Sequence, residues 1–169
     1  MTEEGFAIAL TGLNELKRQG IIVDYAVGGA IAAIRYIETI FTNDLDIFVI
    51  LPPSNRRIIS IKPITDFFVQ QGYTWLGEHI IIKGTPVQFL VADRLEAEAV
   101  QMASRRKFLG VTTKLFTPEY LIAIMVNVGR LKDKNRLQML LEQTKIKDNV
   151  LFDILGRYGL EQKYRGMTE

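Results

Sequence analysis

The chain has 169 residues, of which 48% are hydrophobic and 24% are charged, with a formal net charge of +2. This composition is ordinary for a soluble globular protein, its length predicts one domain over residues 1–169, and its charge is too small to indicate a dedicated nucleic-acid binder. The absence of cysteine excludes disulfides, a thiolate nucleophile and a cysteine-based zinc site, which fits the cytoplasm. Acidic residues near the first residue argue against a signal peptide, and no apolar run reaches the ~18 residues of a membrane span.

Hydrophobic periodicity and turn residues predict a chain of alternating helices and strands that ends in helices. The predicted helices are Thr2–Arg18, Ala30–Ile37, Pro63–Gln71, Leu95–Ala103, Glu119–Val128, Lys132–Gln143 and Asn149–Arg157. The predicted strands or extended segments are Ile21–Val27, Asp44–Val49, Tyr73–Leu76, His79–Lys83, Val87–Ala92, Lys107–Leu109 and Val111–Phe116. Pro53–Ile61 is predicted to be a loop or a short turn of helix. Asp93 and Thr117 are predicted helix caps, and Gly159 is predicted to end the regular structure. The order predicts an α/β sheet protein whose C-terminal third, from about residue 118, is helical.

Two aspartates alternate with apolar residues within Ala26–Leu51, the stretch around which we expect the rest of the chain to be organised. Asp44 and Asp46 are two positions apart on a predicted strand, so their side chains point to one face, about 7 Å apart along the strand. Carboxylates at this spacing repel each other unless cations lie between them. A divalent-metal site for phosphoryl transfer requires this arrangement. The alternative is a strand-start cap, but Asp46 lies inside an apolar strand, where an unpaired carboxylate is costly.

Gly28 and Gly29 lie where a predicted strand gives way to a predicted helix. Glycine tolerates positive φ and lets the backbone approach a ligand closely. Free N–H groups and the helix dipole at such a point favour a bound phosphate. We therefore expect a phosphate-binding turn, and the alternative is that the two glycines form only a tight turn.

A Gly-Gly pair after a strand, then a helix, then Thr-x-Asp-Leu-Asp on the next strand resembles the nucleotidyltransferase superfamily, which has the polymerase-β-like fold. The chain looks most like the abortive-infection and minimal-nucleotidyltransferase branch. The resemblance implies an α/β (α+β) fold with a mixed β-sheet flanked by helices. It implies that Gly28 and Gly29 hold the nucleoside triphosphate and that Thr42 assists them. It also implies that Asp44 and Asp46 are catalytic and bind Mg²⁺ or Mn²⁺.

The chain departs from the family pattern at the third acidic position. Relatives usually carry a third carboxylate on a later strand, and the equivalent segment here, Pro86–Val91, has Gln88 at its centre. An amide oxygen still ligates a cation, but it binds more weakly than a carboxylate and cannot act as a base. We expect Gln88 to be the third metal ligand. Three outcomes stay open: activity with a weaker or single metal, a substitute acid such as Asp93 or Glu78, or a fold retained only for binding.

The C-terminal third carries a Lys-Asp pair that extends the resemblance. Lys132 and Asp133 match this pair, and Arg130 matches the basic residue that precedes it. The resemblance implies that Lys132 contacts the triphosphate, whereas Asp133 either orients the triphosphate or caps the following helix. His79, the only histidine, is expected on a strand with no chemical role.

The motifs together predict Mg²⁺-dependent transfer of a nucleoside monophosphate from an NTP to a hydroxyl acceptor on a protein, an RNA or a small molecule. The alternative, favoured by Gln88, is a catalytically weak or inactive nucleotide-binding module, or the partner of a cognate protein in a toxin–antitoxin pair. A structural protein without a ligand is a third alternative. None of these functions predicts contact with a membrane.

Overall fold

The computed structural model describes residues 2–34, 36, 44–53 and 60–169. The helices of these residues are α1 (Glu3–Arg18), α2 (Gly29–Ile34), α3 (Lys62–Val69), α4 (Leu95–Met102), α5 (Pro118–Val128), α6 (Leu131–Gln143), α7 (Asp148–Arg157) and α8 (Glu161–Thr168). The strands are β1 (Asp24–Val27), β2 (Leu45–Ile50), β3 (Thr74–Leu76), β4 (His79–Ile82), β5 (Thr85–Val91), β6 (Ser104–Phe108) and β7 (Val111–Leu115). Thr42 and most of the predicted loop Pro53–Ile61 lie outside the described residues. Within the described ranges, no helix has the length and apolarity needed to cross a bilayer.

The strands of the described chain form one mixed sheet in the order β3-β4-β5-β2-β1-β7-β6. β2 is antiparallel to β1 and parallel to β5, and β1 is parallel to β7. The β2–β5 register pairs Asp46 with Gln88 and Phe48 with Leu90. The predicted mixed sheet flanked by helices is confirmed, and the register brings two predicted site residues side by side.

Burial alternates along β2 and separates the two faces of the sheet. Leu45, Ile47 and Val49 are fully buried in a core that they share with α1 and α3. Asp46 and Phe48 point to the opposite face, because successive side chains of a strand alternate. Phe48 packs there against the second core, which is built largely from α4, α5, α6 and α7. The helices of the C-terminal third therefore cover the face that carries Asp46.

Helix α5 lies at the centre of this second core and has clear signals at both ends. Thr117 occupies its N-cap and Pro118 its first turn, as predicted, although the Thr117 hydroxyl makes no capping hydrogen bond. Gly129 ends the helix in the left-handed conformation, with φ at 73°. Proline is tolerated where a helix begins, and glycine adopts positive φ at low cost where it ends. The helix therefore stops just before Arg130, which begins the basic side of the site described below.

A cluster of hydrogen bonds around Glu98 ties α4 to the helical third. Its carboxylate accepts hydrogen bonds from both terminal nitrogens of Arg157, at 2.8 and 2.6 Å. The hydroxyls of Tyr120 and Tyr158 also donate to it, each at 2.6 Å. Hydrogen bonding to Arg157 is the main reason that the pKa of Glu98 falls to about 2, with the two tyrosines adding to the effect and partial burial opposing it. The cluster joins α4, α5 and the end of α7.

Several local predictions were wrong, and the first strand begins at Asp24 rather than at Ile21. Asp93 does not cap α4, because the N-cap is Arg94, which has φ at 42° and makes no side-chain capping bond. β6 begins at Ser104 rather than Lys107, since this edge strand is charged and exposed and has no apolar alternation to reveal it. Gly159 does not end the regular structure, because α8 follows it. No residue of α8 is fully buried, so apolar periodicity gives no sign of this helix.

Candidate active site

A cavity of about 630 Å³ lies between the sheet and the helices α5 and α6. Its polar wall combines acidic and amide groups from the sheet side with basic groups from α6 and the residue before it. The polar lining residues are Asp44, Asp46, Glu78, His79, Gln88, Glu96, Arg130, Lys132, Asp133 and Arg136. The remaining lining is mostly apolar and is contributed by Phe48, Leu90, Val91, Phe116, Leu121, Ile124, Met125 and Val128. The cavity therefore contains carboxylates, cationic side chains and this apolar lining, which we call the apolar floor.

Asp44 and Asp46 line this one cavity, so both carboxylates serve the same space, as their spacing predicts. Asp44 immediately precedes β2, and Asp46 lies within the strand. Burial raises the pKa of Asp46, the neighbouring negative charge of Asp44 raises it further, and the cations Arg130, Arg136 and Lys132 oppose the shift. A divalent cation between these carboxylates would relieve their repulsion. The pair is therefore suited to hold a metal ion.

Gly29 also lines the cavity, and it lies directly against the carboxylate of Asp46. It has φ at 56°, and a Cβ at this position would overlap Asp46 Oδ2. Gly28 lies deeper, where a Cβ would come within 2.5 Å of the Phe48 ring and 2.8 Å of the Phe116 ring. The Gly28 N–H already donates to the carbonyl of Asp46 at 3.0 Å. The two glycines thus let the turn pack directly against Asp46. Their contact with a triphosphate stays a prediction.

Gln88 occupies the position predicted for the third ligand, directly opposite Asp46 on β5. Its Nε2 donates a hydrogen bond to Glu78 Oε2 at 3.0 Å. Of the two substitute acids that the sequence suggests, Glu78 lines this cavity, whereas Asp93 lines a separate one. Within the described ranges, no group of three or more His, Cys, Asp or Glu side chains is arranged to hold a metal ion. Metal binding by Gln88 stays a prediction.

His79 lies closer to the chemistry of the cavity than its sequence position suggests. It begins β4, as predicted, and its Nε2 is 3.5 Å from Asp44 Oδ2. This nitrogen is buried and makes no hydrogen bond to any described residue. The two groups form an ion pair only when the imidazole is protonated. His79 therefore lies beside the aspartate pair, a proximity that the sequence analysis missed.

The basic side of the cavity is built around the start of α6. The buried carboxylate of Asp133 accepts hydrogen bonds from the Arg130 backbone N–H at 3.3 Å and from Arg130 Nε at 2.8 Å. Asp133 therefore caps α6, which is one of its two predicted roles, and it raises the pKa of the Arg130 guanidinium. Lys132 is exposed and lines the cavity, as does Arg136 four residues later on the same helix face. Arg136 was missed by the sequence analysis, although its spacing from Lys132 is a signal that could have identified it.

The apolar floor of the cavity includes a pair of aromatic rings. Phe48 and Phe116 are in contact, with ring centroids 5.0 Å apart. Met125 is 6% exposed and adds an uncharged side chain to this lining. Water-excluding walls strengthen the electrostatic interactions of the groups that border them. The cavity therefore places apolar side chains next to both its carboxylates and its cationic side chains.

Comparisons with known proteins agree with this architecture. No protein-family model matches the chain, and no curated protein matches its sequence. The crystal structure of an antigenic nucleotidyltransferase-like protein from Paracoccidioides brasiliensis is 16% identical, with 97% of this chain and 93% of that chain covered and a TM-score of 0.53. The solution structure of the antibiotic-resistance factor ANT(2'')-Ia is 11% identical, with 98% and 99% covered and a TM-score of 0.51. At these identities the similarity concerns the fold alone, and this chain has the nucleotidyltransferase-like fold.

Proposed function

We propose that this protein transfers a nucleoside monophosphate from an NTP to a hydroxyl acceptor, using Mg²⁺ or Mn²⁺ held by Asp44 and Asp46. One observation carries the proposal: Asp44 and Asp46 share a cavity with Arg130, Lys132 and Arg136. A metal–triphosphate complex carries both a cation and several negative oxygens, so it needs both kinds of side chain in one space. The cavity volume of about 630 Å³ lies within the range of small-molecule and cofactor sites.

The described side chains divide the work of such a reaction. The metal ion, when bound, would neutralise charge that develops on the phosphate oxygens. Asp44 and Asp46 would fix that ion at the sheet, while Lys132 and Arg136 would bind the outer phosphates from α6. Arg130 is held in place by Asp133, so its guanidinium would be preorganised toward the same phosphates. The contribution of Gly28, Gly29 and Thr42 to triphosphate binding remains part of this proposal.

The apolar floor is suited to the base of the nucleotide. Phe48 is half-buried and offers aromatic surface, Phe116 is fully buried behind it, and Met125 adds an adaptable apolar side chain. Aromatic side chains bind nucleobases by stacking, which is tolerant of base identity. The floor therefore supports binding of a nucleotide without selecting one base.

The test is transfer from α-³²P-labelled ATP, GTP, CTP and UTP to a mixture of hydroxyl acceptors: an RNA oligonucleotide, a serine-containing peptide and glycerol. We expect Asp46→Asn to lower transfer by at least about 100-fold, because it weakens the metal site. Asp93→Asn is the matched control, since this carboxylate lines a different cavity. We expect the control to transfer at the wild-type rate. Equal incorporation by wild type and Asp46→Asn would remove the assignment of the metal site.

A second function is favoured by one observation, the neutral side chain of Gln88 opposite Asp46. With one negative charge fewer on β5, the cavity would bind a metal–nucleotide complex without turning it over, as a nucleotide-binding module or as the partner of a cognate protein in a toxin–antitoxin or abortive-infection system. Calorimetry with ATP and Mg²⁺, combined with a pyrophosphate assay, separates the two functions. Tight binding without pyrophosphate release would favour the binding module.

A further inference from the structure

A carboxylate beside Gln88 supplies the negative charge that position 88 lacks. Gln88 lies opposite Asp46, and its side chain donates a hydrogen bond to Glu78 over 3.0 Å. A carboxylate oxygen can only accept, so the amide nitrogen of Gln88 must face Glu78. The two side chains therefore form one hydrogen-bonded unit in which the charge is carried by Glu78.

Strand pairing explains how Glu78 reaches this place. Gly77 and Glu78 form the turn between β3 and β4, and Gly77 adopts φ at 62° there. Ile80 of β4 lies opposite Val87 of the antiparallel strand β5, so the start of β4 runs beside Gln88. Glu78 is exposed and also lines the cavity that contains Asp44 and Asp46, so solvent reaches it. An acceptor that enters from solvent would meet Glu78 as it approaches the nucleotide.

The other carboxylates of the cavity either have a different proposed role or lie outside the strand pairing at Gln88. Asp44 and Asp46 are the proposed metal ligands, and Asp133 is buried against Arg130. Glu96 lies on α4, outside the β2–β5 pairing that sets Asp46 beside Gln88. Glu78 therefore combines a carboxylate, access to solvent and a hydrogen bond to the residue opposite Asp46.

We propose that Glu78 is the proton acceptor of the transfer reaction and that Gln88 is its positioning residue; this inference rests on the proposed function. The acceptor hydroxyl oxygen forms a bond to the α-phosphorus of the NTP. The bond from that phosphorus to the bridging oxygen of pyrophosphate breaks, and pyrophosphate leaves with the bonding electrons. The hydroxyl proton passes to a carboxylate oxygen of Glu78 and from there to solvent water. Positioned proton acceptors accelerate such steps by about 10²–10⁴-fold.

An exchange of the two side chains tests the proposal in the transfer assay described above. Glu78→Gln keeps the shape but removes the carboxylate, and we expect kcat to fall by at least about 100-fold. The double variant Glu78→Gln, Gln88→Glu retains the hydrogen bond with donor and acceptor exchanged. The carboxylate then lies at position 88 and the amide at position 78. We expect this variant to be at least about tenfold faster than Glu78→Gln, since a proton acceptor is restored near Asp46. Failure of the exchange to restore any activity would overturn the proposal.

Glu4→Gln is the matched control for loss of an exposed carboxylate. Glu4 pairs with Lys83 at 3.9 Å, beyond the opposite end of β4 and away from the cavity. We expect its transfer rate to equal that of the wild type. An equal loss in Glu4→Gln and Glu78→Gln would show that charge at this edge of the sheet acts nonspecifically, which contradicts the proposal.

Gln88→Ala separates a proton acceptor from a group that merely orients Gln88. Glu78 keeps its carboxylate in this variant, so we expect a loss of less than about tenfold in kcat, well below that of Glu78→Gln. A loss in Gln88→Ala as large as that in Glu78→Gln would mean that Glu78 acts through Gln88, and the proposed role would be wrong.

Binding of Mn²⁺ alone gives a readout that does not depend on turnover. In calorimetry without nucleotide, we expect the Kd of Glu78→Gln to stay within about twofold of wild type, whereas Asp46→Asn weakens binding by about tenfold or more. Similar weakening in both variants would identify Glu78 as a metal ligand and overturn its role as proton acceptor. Full transfer by Glu78→Gln alongside an inactive Asp46→Asn would overturn this inference alone. Full transfer by Asp46→Asn, or none by the wild type, would remove the proposed function as well.

Discussion

The carboxylate of Asp46 fills the space that a side chain at Gly29 would occupy. The backbone at Gly29 has positive φ, so this residue meets a conformational and a steric requirement at once. The same contact places a backbone turn immediately beside a carboxylate whose pKa is raised by burial and by Asp44. The position of Asp46 therefore depends on the absence of a side chain on the neighbouring turn.

Gly29→Ala should displace Asp46 and destabilise the fold. Positive φ and overlap with Asp46 Oδ2 should together cost about 2–5 kcal/mol of unfolding free energy. Gly20→Ala is the matched control, because Gly20 also has positive φ, at 72°, but has nothing within 4 Å of an added Cβ. We expect that control to cost only about 1–2 kcal/mol. Urea unfolding measures both values, and equal costs would show that the contact with Asp46 is unimportant.

Lys132→Ala should weaken NTP binding without altering stability. Its side chain is exposed and lines the cavity, so its loss removes one charged contact to the phosphates and no core packing. We expect the Kd for a nonhydrolysable ATP analogue with Mn²⁺ to rise by about tenfold. Lys134→Ala, two residues along α6 and outside the cavity lining, should leave that Kd unchanged. Equal values of Kd for wild type and Lys132→Ala would show that Lys132 does not contact the triphosphate.

Glu98→Gln should lower stability in a manner that depends on pH. Glu98 has a folded-state pKa of about 2 and an ordinary value of 4.5, so its stabilising effect is complete above about pH 4.5. That effect is lost progressively as pH falls toward 2, because the folded state must then also bind the proton. With a discount for solvent screening, we expect a loss of about 1 kcal/mol at pH 7, or about 2–4 °C in Tm.

The Glu98 prediction is checked by thermal unfolding of both proteins from pH 7 down to pH 3. The difference in Tm should shrink below about pH 4.5. Asp153→Asn is a suitable control, since Asp153 also pairs with Arg157 but its side chain is 62% exposed. We expect that variant to change stability by less than about 0.5 kcal/mol. A Tm difference for Glu98→Gln that does not vary with pH would contradict the ionic explanation.

The two-residue spacing of Asp44 and Asp46 predicted that they share one space, although β2 itself begins only at Leu45. Asp44 and Asp46 share a cavity because a strand has a period of two, which a sequence displays directly. Gln88 could be aligned with them through its place at the centre of an apolar strand. His79 could not be placed in the same way, because its 3.5 Å approach to Asp44 depends on β4 lying beside β5 in one particular register. Register between strands is a tertiary property, and no local pattern encodes it.

The helical third shows the same division between local and tertiary signals. Pro118 and Gly129 mark the ends of α5 in the sequence. Proline restricts the backbone angle φ and glycine widens the range of allowed φ, so both residues can be interpreted from the sequence alone. Helix α8 has no fully buried residue, and only Tyr164 and Met167 of this helix pack against the second core. Lys163 Nζ donates to the carbonyl of Asn127 at 2.6 Å, and the rings of Tyr164 and Phe152 meet edge to face. Contacts of this kind become visible only in the folded chain.

The parallel pairing of β2 with β5 has a consequence for the order of folding. β3, β4 and β5 are joined by short turns and can associate early, whereas β2 must dock beside β5 across the whole intervening chain. Contacts between distant parts of a chain form slowly, because a large loop must close before they are made. Asp46 and Gln88 are therefore expected to meet only after the local hairpins have formed, and Mn²⁺ capture during refolding should lag behind the initial collapse.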